Sequence, residues 1–353
     1  MSTRMSADVS VIICISNESC AQIETVAVEG AGRSDGLGQE AQSGVPAAAA
    51  IDSVDPGAAR ASGENFPVAL RMLPARPRQH LMAVYGFART TDDIGDQAPP
   101  GQRLGLLDEL EADLRRLYAC IADPRDPAGA GSQGGADGSA GVGGRGADEP
   151  GSRVVRALRP AVTECEIPMR PFLDLILANR QDQVVSRYQS FEDLLGYCRL
   201  SANPVGRIVL HVFGSFSPQR AEMSDSICTA LQLAEHWQDV AEDLRAGRIY
   251  LPARDMEAFG CTQEDLARAS AAPPVRALIE FETGRAKALL DAGAPLIAAL
   301  RGAARAAVAG YVAGGRAALA AIAAADHDVL RRVPRPRRRR VAGELLLAYA
   351  RGR

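Results

Sequence analysis

Two stretches decide how this chain reads: Val84-Tyr-Gly-Phe-Ala-Arg-Thr-Thr-Asp-Asp-Ile-Gly-Asp96 and Gln232-Leu-Ala-Glu235-His-Trp-Gln-Asp239-Val-Ala-Glu-Asp243. In the first, Tyr85, Arg89, Asp92 and Asp96 follow one another at i, i+4, i+7 and i+11, which is one face of a helix. A phenol and a guanidinium then stand above two carboxylates one turn apart. In the second, Gln232, Glu235, Asp239 and Asp243 recur at i, i+3, i+7 and i+11, again a single polar stripe. Leu231, Leu233 and the sole tryptophan, Trp237, interleave with it, so the helix is expected to be buried. Buried carboxylates at such spacing are costly unless cations neutralise them. The plain alternative, a solvated acidic face, suits the first stripe better than the second. Hard oxygen ligands alone select Mg²⁺ over zinc, and Mg²⁺ prefers to bridge a few carboxylates to substrate phosphates. Two facing pairs of this kind would make a diphosphate-ionising site.

Working outward, the chain has 353 residues, 47% of them hydrophobic and 24% charged, with a net charge of −3. That balance argues against a nucleic-acid binder. The seven cysteines lack zinc-finger spacing and are odd in number, which fits a reducing compartment and a cytoplasmic protein. Residues 1–60 mix small and polar residues without periodicity and read as a disordered extension. Residues 122–152 read as a flexible loop, since 128–151 alone hold ten of the 34 glycines. Within that loop, Gly141-Val-Gly143-Gly-Arg-Gly146 has the letters of a dinucleotide fingerprint but no strand before it. No NAD(P)H is therefore expected.

The remaining residues, about 240, suit a single domain, and their periodicity is helical almost throughout. Leu107, Leu110, Leu114 and Leu117 make one apolar face. Ser190-Phe-Glu-Asp193 has capping-box spacing, so a helix should start there. An all-α domain of roughly eight to ten helices follows from usual helix lengths. The Ala-rich stretch 286–325 is broken by Arg301, Arg305 and Arg316 and does not read as a membrane span. Seven arginines lie between Arg331 and Arg340, ahead of Leu345–Leu347. This basic C-terminal tail, 333–353, is either solvated or a peripheral contact with the inner membrane surface.

The sequence resembles the squalene/phytoene synthases, and most of all their bacterial hydroxysqualene synthase branch of hopanoid biosynthesis. The matching text is Glu64-Asn-Phe-Pro-Val-Ala69, the stretch 84–96, and Tyr197-Cys-Arg-Leu-Ser-Ala-Asn-Pro-Val-Gly-Arg207. It continues with His236-Trp-Gln-Asp-Val-Ala-Glu-Asp243 and Gly247-Arg-Ile-Tyr-Leu-Pro252. The resemblance implies a family domain over 61–332 with the terpenoid-synthase helical fold of the trans-isoprenyl diphosphate synthases and a central cavity. It implies that Asp92, Asp96, Asp239 and Asp243 hold Mg²⁺ against a prenyl diphosphate, with Arg89 and Tyr85 contacting the diphosphate. Tyr197 and Gln232 would line the cavity, and Tyr311 would lie near the diphosphate. Glu235 stands where the family has Asn; as a hard ligand it would still bind metal, unless it turns to Arg199 or Arg207. Asn65, at a substrate-contacting position, replaces a phosphate-binding Ser of the phytoene and dehydrosqualene synthases, which points to the hydroxysqualene branch. The implied reaction is ionisation of presqualene diphosphate and capture by water, giving hydroxysqualene. The alternatives are head-to-head synthesis of presqualene diphosphate, squalene or phytoene, and an inactive lipid-binding homologue.

Overall fold

The computed structural model describes residues 73–122 and 150–351. The N-terminal extension, Asn65 and most of the glycine-rich loop lie outside the described residues. Helices follow in the order α1 (Ala75–Asp96), α2 (Arg103–Ala122), α3 (Pro150–Cys165), α4 (Arg170–Gln181), α5 (Phe191–Ser201), α6 (Asn203–Val212) and α7 (Pro218–Gln238). They continue as α8 (Val240–Arg245), α9 (Ala253–Ala258), α10 (Gln263–Leu266), α11 (Pro273–Gly293), α12 (Leu296–Ala299), α13 (Gly302–Ala324) and α14 (Arg338–Arg351). Of the fourteen helices among the described residues, four are only four or six residues long. Longer helices among the described residues number ten, at the upper end of the eight to ten that periodicity predicts. Among the described residues there is no strand; Arg187 and Ile249 form a single parallel bridge.

Local chemistry sets the helix starts. Ser190 caps α5 and Asp193 reaches back to the Ser190 N–H, the reciprocal box read from the sequence. Thr262 and Asp265 do the same for α10. Leu107, Leu110, Leu114 and Leu117 are all buried on α2, as their spacing requires. They pack with Phe87 of α1, Leu158 of α3 and Phe172 of α4 into one core cluster, in which Phe87 and Phe172 meet edge to face at 5.2 Å.

A second cluster surrounds α7. Leu233 and Trp237 pack with Leu278 and Ile279 of α11 and Val312 and Ile322 of α13, all with no solvent exposure. Two glycines let these helices close on α7. A Cβ on Gly293 would stand 2.5 Å from the Met223 carbonyl oxygen, and one on Gly315 would stand 2.6 Å from a Leu231 methyl. α13 is long and apolar enough to cross a membrane by length and composition. It is instead a core helix here, with Ala309, Val312, Ala313 and Ala317 wholly buried and Arg316 paired to Asp291 of α11 at 2.8 Å. The arginine-rich segment leads into α14, which packs along α13 with Val341 and Ala348 buried.

Candidate active site

The first acidic pair sits on the last two turns of α1. Gly95 permits the close approach of α4: a Cβ there would fall 2.3 Å from the Asn179 side-chain oxygen. The Asn179 amide therefore reaches the buried Asp92 and donates to its Oδ1 at 3.0 Å, while Asp92 Oδ2 has no hydrogen-bond partner. Gln183 donates to the Gly95 carbonyl at 3.0 Å and Arg103 to the Asp96 carbonyl at 2.7 Å, which fixes the end of α1. Arg89 pairs with Asp93 at 3.0 Å and lies close enough to Asp92 to favour its charged form. Tyr85 is half-buried one turn above Arg89.

The second pair does not lie on one unbroken helix, as the spacing suggests. α7 ends at Gln238, Asp239 turns out of helical geometry at φ −103°, ψ 14°, and α8 resumes at Val240. The register survives because the Asp243 N–H donates to the Asp239 carbonyl at 2.9 Å, so the two side chains remain one turn apart. Glu235 lies one turn earlier, half-buried. The arginines that could have claimed it are engaged elsewhere, Arg199 with Glu192 at 2.7 Å and Arg207 with Asp225 at 2.6 Å.

Arg248 joins the two pairs. Gly247 adopts φ 81°, a left-handed turn that glycine takes without strain. That turn lets the Arg248 N–H donate to the Asp243 carbonyl at 2.8 Å, while its guanidinium donates to Asp96 Oδ1 at 2.7 Å. Asp182, the residue that caps α4, lies between them. Its Oδ2 accepts from the Tyr197 hydroxyl at 2.9 Å, its Oδ1 has no hydrogen-bond partner, and its charge is opposed by both Asp96 and Asp243. Neither Asp182, Arg248 nor Asn179 was singled out by spacing. Arg248 at least belongs to the Gly247–Pro252 motif, whereas Asp182 carries no local signal.

Burial drives the electrostatics. It raises the Asp92 carboxyl well above the usual range, against the Asn179 hydrogen bond and with help from Asp96. It pushes Asp182 up to about 7, opposed by Arg248. It pushes Asp239 up to about 7 as well, with Asp243 and Glu242 adding to the effect. Three carboxyls held this high, two of them (Asp92 and Asp182) with an unpartnered buried oxygen, mark a cluster short of positive charge, which suits a divalent cation. Among the described residues no group of three or more acid, histidine or cysteine side chains forms a ready-made metal cage. Paired carboxylates that leave room for water and phosphate oxygens are the arrangement Mg²⁺ favours over an all-protein cage.

Below the acids lies an aromatic layer. Tyr250 stacks on His236 at 3.7 Å, and Tyr188 and Tyr197 each lie within 6 Å of the Tyr250 ring. Burial and the nearby Arg248 charge push His236 down to about 3, so it is a neutral ring. His236 Nε2 lies 3.3 Å from the Gln232 amide nitrogen, and Gln232 is the polar end of an apolar cavity walled by Val209, Leu231, Leu296, Val308 and Tyr311. The cavity's free volume, about 30 Å³, holds about two waters. Tyr311 thus belongs to the cavity wall, where burial raises its phenol.

The sequence profile of the squalene/phytoene synthase family matches residues 59–340. A hydroxysqualene synthase of Rhodopseudomonas palustris is 34% identical over 241 residues, 67% of this chain and 72% of that protein. One from Zymomonas mobilis is 35% identical over 241 residues, 67% of this chain and 71% of that protein. Among solved structures, squalene synthase HpnC from Alicyclobacillus acidocaldarius aligns with a TM-score of 0.64 at 39% identity, covering 76% of this chain and 91% of that one. A dehydrosqualene synthase solved with a ligand aligns with a TM-score of 0.65 at 23% identity, covering 80% of this chain and 90% of that one, which shows a shared fold.

Proposed function

The chain belongs to the squalene/phytoene synthase family, and from that premise we propose that it is a hydroxysqualene synthase, which ionises presqualene diphosphate and lets water capture the carbocation. The family is one of isoprenoid-synthesising enzymes that process prenyl diphosphates, generally with a metal. The reading is supported above all by one observation: Arg248 and Asp182 stand between two aspartate pairs separated by some 145 residues of sequence, directly above an aromatic layer and an apolar cavity.

In this reading Asp92, Asp96, Asp239, Asp243 and Glu235 hold Mg²⁺. When bound, the metal supplies Lewis acidity that favours departure of diphosphate. Arg89 and Tyr85 bind the departing anion, and Arg248 offsets the charge of Asp96 while the site is open. The bond between carbon and the diphosphate oxygen breaks, and its electron pair leaves with the diphosphate. Tyr197, Tyr250 and the neutral His236, packed on one another, form an aromatic wall between the acids and Gln232 at the cavity. The cavity excludes bulk water while the cyclopropane opens. One water then adds to the cation, forming a carbon–oxygen bond and releasing a proton.

A second reading, condensation of two prenyl diphosphates, is favoured by the similarity to the solved squalene synthase HpnC. One experiment separates the two. Purified protein with Mg²⁺ is given presqualene diphosphate or farnesyl diphosphate, and the product is identified by mass. Hydroxysqualene from presqualene diphosphate, with farnesyl diphosphate left intact, supports the first reading. Turnover of farnesyl diphosphate alone supports the second, and no diphosphate release from either overturns both.

A further inference from the structure

The segment between Arg331 and Arg340 holds seven arginines and no acid in a chain whose net charge is −3. Arg331, Arg332, Arg335, Arg337, Arg339 and Arg340 are all exposed. α14, which follows, divides into two faces. Val341 and Ala348 are buried and Leu345 packs on the main core. The opposite face carries Ala342, Gly343, Leu346, Leu347 and Ala350, all exposed and none charged. Leu346 is 73% exposed, Leu347 47% and Tyr349 40%. A helix whose outer face meets only water places its charged residues there. Here the exposed face is apolar, three successive arginines open the helix, and its one acid, Glu344, is half-buried off that face, the pattern of a helix that lies in a bilayer interface.

We propose that α14 and the arginines ahead of it dock on an anionic bilayer, with Leu346 and Leu347 at the acyl boundary, Tyr349 and the Arg305 guanidinium stacked on its ring at 4.5 Å at the headgroup level, and Arg337, Arg339 and Arg340 at the lipid phosphates. Charge decides the occupant: a second copy of the chain would bring the same arginines against one another. The exposed apolar side chains are also too few for a stable dimer, which buries about 800 Å² on each partner. The same segment reaches the candidate active site, since the Gln238 side-chain amide donates to the Pro334 carbonyl and Gln238 directly precedes Asp239. The bilayer contact and the acidic cluster are therefore neighbours. This inference does not depend on which reaction the site performs.

Flotation of the full chain with vesicles tests it. The protein should float with vesicles that mix phosphatidylcholine and phosphatidylglycerol and should remain behind with phosphatidylcholine alone. The double variant Leu346→Glu/Leu347→Glu should lose flotation by roughly tenfold or more, with its helical circular dichroism and its turnover of detergent-dispersed substrate unchanged. Arg339→Glu/Arg340→Glu, with no apolar side chain altered, should lose it as well, and added salt should release the wild type. Wild type that fails to float with the anionic vesicles overturns the proposal, as does a Leu346→Glu/Leu347→Glu variant that floats like wild type. A wild-type dimer on gel filtration that this variant converts to monomer also overturns it, by assigning the face to a second copy.

Discussion

Replacing Asp182 with Asn should stabilise the metal-free protein in mildly alkaline buffer and leave it unchanged in acid. The folded carboxyl is pushed up to about 7, against an ordinary value of 3.8. Because the folded state holds this proton more tightly than the unfolded chain does, its contribution is fully present below about pH 4 and is lost as the pH rises through about 7. The gap of roughly three pH units, at ~1.4 kcal/mol each, sets an upper figure of ~4 kcal/mol; relaxation around the charge reduces it to ~2. Asn keeps the shape and still accepts the Tyr197 hydroxyl, while Arg248 retains Asp96. The melting temperature in EDTA should therefore rise by about 4–8 °C near pH 8, at ~2–4 °C per kcal/mol for a domain of this size. Near pH 5 the difference should shrink to about a third of that or less. Added Mg²⁺ should narrow the difference at high pH, because a cation beside Asp96 and Asp243 favours the wild-type carboxylate. A variant no more stable than wild type near pH 8, or equally stabilised at both pH values, would refute the burial argument.

Asp92→Asn and Asp239→Asn should each lower diphosphate release by about a hundredfold or more, while the melt in EDTA holds or rises; full turnover by both would remove the two-pair mechanism. Glu235→Asn should weaken the apparent Mg²⁺ affinity and lower the substrate KM, because one negative charge fewer faces the diphosphate. Those two changes oppose each other, so a general loss of stability cannot imitate them, and an unmoved Mg²⁺ midpoint at fixed substrate would exclude Glu235 as a ligand. Glu282 of α11 is wholly buried beside Arg285, and burial pushes its carboxyl up to about 8. Glu282→Gln should accordingly add about 1–3 kcal/mol near pH 9 and little near pH 4 in urea unfolding; the same gain at both would place its origin in packing.

The parts of the site that lie along one helix could be read from spacing alone. Tyr85, Arg89, Asp92 and Asp96 share a face because α1 is unbroken, and Ser190 and Asp193 announce the start of α5 from three residues apart. What spacing hides is whatever acts across the chain. Asn179 meets Asp92 from 87 residues away and Arg248 meets Asp96 from 152, and no local pattern foretells either. Asp182 has no periodic partner, so only the folded geometry reveals a carboxyl between the two pairs. The break at Asp239 was invisible for the opposite reason: the backbone leaves helical geometry while keeping the i, i+4 register that the pattern records. The arginine run was plain as composition. How the three leucines after it divide between an inner and an outer face depends on how α14 settles on α13, and Leu345 differs from Leu346 only through that packing.

Trp237 gives the site an optical consequence. It is the only tryptophan in 353 residues, it has no solvent exposure, and its indole N–H has no hydrogen-bond partner. Its emission should therefore be blue-shifted, and all tryptophan fluorescence of the chain originates from a single point. That point lies two residues before Asp239, at the junction where α7 gives way to α8. A rearrangement of the second acidic pair, whether from cation, diphosphate or a nearby bilayer, moves the environment of this one ring. The protein thus carries an intrinsic reporter of its own junction, readable in solution without any label.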